Sequence, residues 1–178
     1  MSKNSAPFDF ILGRRSVRVY SPGPIDDSIV QRLLEAAMAA PSAMTKDPWR
    51  FVVIRAPQSL AQLAAALPGG KMLSTATLAI VACGDLEAAH DRQLSFLLQD
   101  CSAAIENLLL AAHMLGLGGC WVGVHPDEGS VRRVKGLLNL PGPIIPVAAI
   151  ALGFPGEQLP ARTRFNPEYV RKETWKTP

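Results

Sequence analysis

Apolar residues recur at Ile29, Val30, Leu33, Leu34, Ala37 and Met38, the spacing of one face of a helix. The stretch Ile25-Asp26-Asp27-Ser28 before them has the acidic and hydroxyl residues of a helix start, and Pro41 after them is a stop. A second kind of pattern is the continuous apolar run. Runs at 51–54, 78–83, 120–124 and 144–152, the last carrying Pro146 near its beginning, predict strands covered on both faces. Between them the pattern predicts a short helix over 8–12 closed by Gly13, and an Ala-rich helix over 58–67 ended by Pro68-Gly69-Gly70. The longest element is a helix over 93–115, followed by Gly116-Leu117-Gly118-Gly119. In its second half only Asp100, Glu106, Asn107 and His113 interrupt the apolar character, so it belongs at the centre of the molecule, packed on several sides. A short helix over 130–138 carries Arg132, Arg133 and Lys135 on its outer face. Four strands interleaved with helices predict an α/β or α+β sandwich with helices on both faces.

From Pro155 onward the chain turns polar, Pro-rich and charged, with no apolar period. Residues 1–178 read as one domain, and 155–178 as an extension that lies across another surface, a partner subunit being the natural candidate. The length suffices to bury a core, and 48% hydrophobic with 19% charged residues argues against disorder. A net charge of +3, with the basic residues scattered, does not suit nucleic acid. The polar start from Met1 to Asp9 does not read as a secretory leader, and the longest apolar run, 143–155, is too short and too Pro-rich to span a bilayer. Cys83, Cys101 and Cys120 are odd in number and embedded in apolar sequence, so they read as buried free thiols of a reducing compartment. The expectation is a cytoplasmic protein bound neither to membrane nor to nucleic acid.

Little in the chain does chemistry by itself. His90, His113 and His125 have no second ligand at metal-binding spacing, and His113 inside the long helix reads as a core histidine, so no metal is expected. There is no G-x-S-x-G turn and no Walker phosphate loop. Gly116-Leu117-Gly118-Gly119 follows a helix and precedes a strand, the reverse of a dinucleotide loop, and serves as a helix terminus. Demanding chemistry here has to come from a bound cofactor.

One cluster is suited to hold one. Arg14-Arg15-Ser16-Val17-Arg18 sets three guanidinium groups and a hydroxyl within five residues, just after a Gly and ahead of an extended segment. That supply matches a phosphate or another multiply charged anion, although such clusters taken alone are more often solvated surface.

With the rest of the chain the cluster resembles the nitroreductase family of FMN-dependent oxidoreductases, in its short form. Arg14 to Tyr20 comes first, then Ala40-Pro41-Ser42-Ala43 ahead of Pro48-Trp49-Arg50-Phe51, then Lys71-Met72-Leu73 ahead of Leu78-Ala79-Ile80-Val81. The long helix ending in Gly116-Leu117-Gly118 follows, and Ala151-Leu152-Gly153-Phe154-Pro155 precedes a basic tail with Trp175. The resemblance implies an α+β sandwich, a mostly antiparallel sheet of about four to five strands with helices on both faces. It implies a homodimer with one FMN in each of two interface clefts. It also implies a ping-pong reaction in which NADH or NADPH delivers a hydride to flavin N5 and a small acceptor, nitroaromatic or quinone-like, then collects it. No side chain is then needed as a catalytic acid or base.

The same resemblance assigns residues. Arg14, Arg15, Ser16 and Arg18 approach the FMN phosphate, ribityl chain and pyrimidine edge, with Arg18 stabilising the reduced ring. Pro41, Ser42 and Ala43 reach the flavin from the other subunit. Lys71 lies near the pyrimidine edge, the backbone N–H groups of Gly123 and Val124 face N5 and O4, and Arg162 and Arg164 close over the phosphate. Without the resemblance, Pro41 and Ser42 read as a helix stop, Gly123 as a close-packing position, Arg162 and Arg164 as solvated tail charges, and Trp49 and Trp121 as core or interface aromatics. The chain departs from the family where Gly-Asn usually follows Pro-Ser-Ala and Gln precedes Pro-Trp: it has Met44-Thr45 and Asp47. Two other functions share the cradle: a related flavin enzyme (dehalogenation, dehydrogenation, flavin breakdown) and a non-catalytic dimer that stores or senses FMN.

Overall fold

The computed structural model describes residues 6–175, so the first five residues of the polar start and the last three of the tail lie outside it. The elements are helix α1 (Ala6–Gly13), β1 (Tyr20–Ser21), α2 (Asp27–Met38), β2 (Trp49–Ile54), α3 (Pro57–Ala66), β3 (Leu78–Asp85), α4 (Leu94–Met114), β4 (Gly118–Gly123), α5 (Glu128–Leu138) and β5 (Ile144–Pro155). Among the described residues the sheet has five strands, and every strand pairing in it is antiparallel. β5 runs through the middle, paired with β3 along one side and with β4 and then β1 along the other, while β2 pairs with β3 at the outer edge. This is the α+β sandwich expected, with helices on both faces.

The continuous apolar runs have a direct cause. In β3, Leu78, Ile80 and Ala82 turn to one face and pack with Leu33 of α2 and with Leu97, Ile105 and Leu108 of α4. The alternate residues Ala79, Val81 and Cys83 turn to the other and pack with Leu60 and Leu63 of α3 and Val134 of α5. Side chains of a strand alternate faces, so a strand between two helical layers must be apolar at every position. The long helix α4 is central, as expected, with Leu97, Cys101, Ala104, Ile105, Leu108 and Ala112 fully buried.

Some boundaries differ, for local reasons. The last strand continues to Pro155 because β1 pairs with its end, Tyr20 with Pro155 and Ser21 with Phe154. Its Pro146 sits at a register shift, where Ala82 pairs with Ala148 but the next residue, Cys83, pairs with Pro146. A residue without an N–H fits such a bulge, and the looped-out Val147 turns its carbonyl to accept from both Val124 and His125 amides at 3.1 Å. Helix α5 starts earlier than its apolar pattern because the Asp127 carboxylate accepts from the Ser130 amide at 2.7 Å and caps it. At α2 the acidic start does something else. Asp26 holds the cap position without a side-chain bond, and Asp27 pairs with Arg55 at 2.7 Å.

Candidate functional site

α1 stops at Gly13, and the basic segment then runs extended beside β4, where the Val17 amide donates to the Gly119 carbonyl at 3.1 Å. Val17 turns inward onto Gly118, close enough that a Cβ there would lie 2.7 Å from its Cγ1. The start of the tail folds back and clamps the segment's other side. Glu157 Oε1 accepts from the amides of Arg18 at 2.7 Å and Val19 at 3.2 Å, and the Gly156 amide donates to the Val19 carbonyl at 2.8 Å. The Arg15 guanidinium donates to the Pro160 carbonyl. So the first part of the tail binds its own chain, whereas Phe165, Tyr169 and Trp175 further on are 76%, 78% and 79% exposed.

This arrangement brings Arg14, Arg15, Ser16, Arg162 and Arg164 around one cleft of about 410 Å³. Arg14 is anchored through Nε, which donates to Glu106 Oε1 of α4 at 3.0 Å. Among the described residues, Arg15, Arg162 and Arg164 have no acidic partner, so the cleft carries uncompensated positive charge. Next to it, a smaller cavity of about 240 Å³ is lined by Gly13, Arg14, Leu109, His113 and Glu157. His113 is half-buried, with the Phe10 ring edge-on at 5.8 Å. On the far side of the segment Arg18 and Lys71 face a third cleft, of about 470 Å³, with Met72 and Thr75. Lys71 opens a short turn, Lys71–Thr75, on the side of the cleft that Arg18 also lines. Arg18 itself is steadied by donating to the Ser16 carbonyl at 3.2 Å.

The other expected residues are placed elsewhere. Pro41, Ser42 and Ala43 lie in the loop between α2 and β2 and line none of these clefts. The Ser42 hydroxyl donates to Asp47 Oδ1 across that loop, and the Ala43 amide donates to Asp100 Oδ1 at 2.9 Å. Gly123 ends β4 in open space, the nearest atom to a would-be Cβ being the His125 carbonyl at 4.0 Å. Val124 follows Gly123 at the end of β4. Its side chain is buried and its amide is committed to the Val147 carbonyl, because the β5 bulge presents that carbonyl to it. Trp49 is a core residue at 6% exposure, and Trp121 is 37% exposed on β4.

Sequence reasoning missed Glu106, Asp100 and Glu157 as parts of the site. The first two were visible as charges in an otherwise apolar helix. Glu157 gave no signal, since an isolated acid in an aperiodic tail looks like any other. Burial pushes the Tyr20 hydroxyl well above its usual range, and its one proton is shared between the carbonyls of Val17 at 2.8 Å and Ala151 at 3.2 Å.

The family model described as the nitroreductase family matches residues 11–69 and 67–154. The chain belongs to the nitroreductase family. A protein of Archaeoglobus fulgidus, provisionally named an NADH dehydrogenase/NAD(P)H nitroreductase, is 40% identical over 93% of this nitroreductase chain and 96% of its own. A crystal structure from Parabacteroides distasonis, of a protein with the same provisional name, superposes with a TM-score of 0.90 at 34% identity, covering 96% of this chain and 99% of that one. A provisionally assigned nitroreductase from Desulfovibrio desulfuricans, solved in complex with FMN, superposes with a TM-score of 0.82 at 31% identity, covering 98% of this nitroreductase and all of the other.

Proposed function

We propose that this protein is an FMN-dependent oxidoreductase that uses NADH or NADPH to reduce small nitroaromatic or quinone-like acceptors, and that it works as a homodimer in the cytoplasm. The observation that carries the reading is the 410 Å³ cleft in which Arg14, Arg15, Arg162 and Arg164 meet Ser16. A phosphate dianion fits that charge and donor set, and the Glu106 carboxylate orients Arg14 toward it without neutralising the other three cations.

Bound FMN supplies the two-electron chemistry, accepting a hydride from the nicotinamide at N5 and passing it to the acceptor. The protein's residues position and shield. Arg14, Arg15, Ser16, Arg162 and Arg164 hold the phosphate. Arg18 and Lys71, sharing the neighbouring cleft, set positive charge where the pyrimidine edge gains negative charge on reduction. Gly123, which carries no side chain at the end of β4, leaves the ring's approach open.

The dimer is supported by what one protomer leaves outside. Phe165, Tyr169, Val170 and Trp175 of the tail are exposed, as are Phe8 and Ile11 of α1, Met44 and Met114. That much apolar surface is normally covered. The 41–43 loop, remote from the arginine cleft of its own chain, serves the cleft of the partner. Three buried free thiols suit a reducing compartment.

The test is spectroscopic. The purified protein is expected to be yellow, to retain FMN on desalting, to be bleached by NADH or NADPH without oxygen, and to regain colour when a quinone or nitroaromatic is added. A colourless protein that does not retain added FMN would overturn the reading. Bleaching by the donor, with no reoxidation by any acceptor of either class, would leave a related flavin enzyme of another reaction, or a storage or sensing role, instead.

A further inference from the structure

Five of the seven non-glycine residues with positive φ among those described fall in two short stretches: Met44, Thr45 and Asp47 between α2 and β2, and Asp91 and Arg92 ahead of α4. Met44 and the 90–92 stretch line the same surface concavity. Left-handed backbone is unfavourable for ordinary side chains and more so for a β-branched one, so the 41–47 loop persists only because its surroundings hold it.

Three restraints do so. The Ala43 amide donates to Asp100 Oδ1 of α4 at 2.9 Å. Within the loop the Ser42 hydroxyl donates to Asp47 Oδ1, and the Asp47 amide donates back to Ser42 Oγ at 3.1 Å. At its exit, Arg50 donates to the Asp47 carbonyl at 3.2 Å while its other arm pairs with Asp85 of β3 at 3.0 Å. The loop is thus tied to α4 and to the sheet, and Met44 is held at its tip with 71% of its surface exposed.

Asp100 is the unusual member of this set. It is only 5% exposed, and its second oxygen, Oδ2, is the buried side-chain polar atom without a hydrogen-bond partner among the described residues. Burying a carboxylate with one oxygen unsatisfied is costly. An apolar residue at that place would fit the rest of α4 better, so the carboxylate is there for the one bond it makes to the loop.

We propose that Asp100 is a positioning residue for the flavin site: it locks the 41–47 loop into a rigid prong whose tip, Met44, forms a wall of the partner's acceptor pocket and favours small, flat acceptors over bulky ones. The proposal rests on the dimeric flavin-enzyme reading given above. A flexible thioether selects poorly, and one held at a fixed place on a strained loop selects by shape.

Two measurements test it. The first needs no flavin and no turnover: amide hydrogen exchange across 43–46 in the purified protein. Asp100→Ala should speed exchange of the Ala43 amide about tenfold, the consequence of one lost hydrogen bond, and Asp100→Asn, which keeps an acceptor oxygen, should restore slow exchange. Should D100A fail to fold, Asp100→Ser keeps a polar group that is too short to reach the amide. The second measurement is kcat/KM for 1,4-benzoquinone against a quinone with a bulky ring substituent. Met44→Gly should raise the bulky-to-small ratio about tenfold through KM, with FMN affinity unchanged. D100A should move the ratio the same way, and M44G/D100A no further than M44G, because without the tip there is nothing left to position.

Unchanged exchange and an unchanged ratio in D100A would overturn the proposal, and so would additive effects in the double variant. A wild-type protein that holds no FMN would instead overturn the functional reading, and the exchange experiment would still decide whether Asp100 holds the loop.

Discussion

Arg14 donates through Nε to Glu106 Oε1 at 3.0 Å, and the same side chain lines the cleft shared with Arg15, Ser16, Arg162 and Arg164. A carboxylate on α4 thereby orients a cation without consuming its bidentate end.

Replacing Arg14 with Ala removes that oriented fork. FMN binding should weaken by about 1.5–3 kcal/mol, read by fluorescence titration of the apoprotein. Arg14→Lys should recover only part of the loss, because an ammonium cannot both pair with Glu106 and grip two phosphate oxygens. Unchanged affinity in R14A would place the phosphate elsewhere.

Gly118 is where the sheet touches the basic segment. A Cβ there would sit 2.7 Å from Val17 Cγ1 and 2.8 Å from its Cβ, and the branched side chain has no flexible end to move away. Gly118→Ala should lower stability by about 1–3 kcal/mol and weaken FMN binding as well, since Val17 carries Ser16 and Arg18 with it. A denaturant midpoint and a flavin titration on the same sample check both parts. Loss of stability with FMN affinity intact would mean that the segment's position does not matter to the site.

Thr45 is β-branched at a φ of 52°. Asn tolerates that conformation better, so Thr45→Asn should raise unfolding stability by about 1 kcal/mol, measured by chemical denaturation. A decrease would show that the hydroxyl's bond to the Met44 carbonyl, at 2.7 Å, outweighs the strain.

Burial pushes the Cys83 and Cys101 thiols up to about 12, from an ordinary value near 9. A folded-state value above the unfolded one means that the unfolded chain releases its protons first as pH rises. The thiols' contribution to stability is therefore whole below about pH 9 and is lost progressively between about 9 and 12. Urea midpoints across that window should fall, and fall less when both residues are Ala. At neutral pH a thiol reagent should leave Cys83 and Cys101 of the folded protein unmodified and label them after unfolding.

The hydrophobic pattern located the five α-helices and the four longer strands to within a few residues, because each buries a face whose period the backbone geometry dictates. Where it fell short, a tertiary contact decided. β5 runs on past Leu152 because β1 pairs with its end, and a bulge at Pro146 turned the Val147 carbonyl onto the Val124 and His125 amides. The basic cluster was legible as a cluster but not as a cleft. That needed Arg162 and Arg164, distant in sequence, to be drawn back by the contacts of Glu157, Pro160 and Arg162 with residues 12–19.

By itself, then, the sequence determined the layers: which residues face a core is a matter of local period, and that survives any arrangement of the elements. Which charges share a space is not local. Arg14 paired with Glu106, Asp100 bonded to the Ala43 amide, and Arg18 sharing a cleft with Lys71 are meetings across long stretches of chain, made by the packing of the helices and the sheet. Hydrogen bonds and ion pairs act over a few ångströms, and only the folded chain brings such groups within that range.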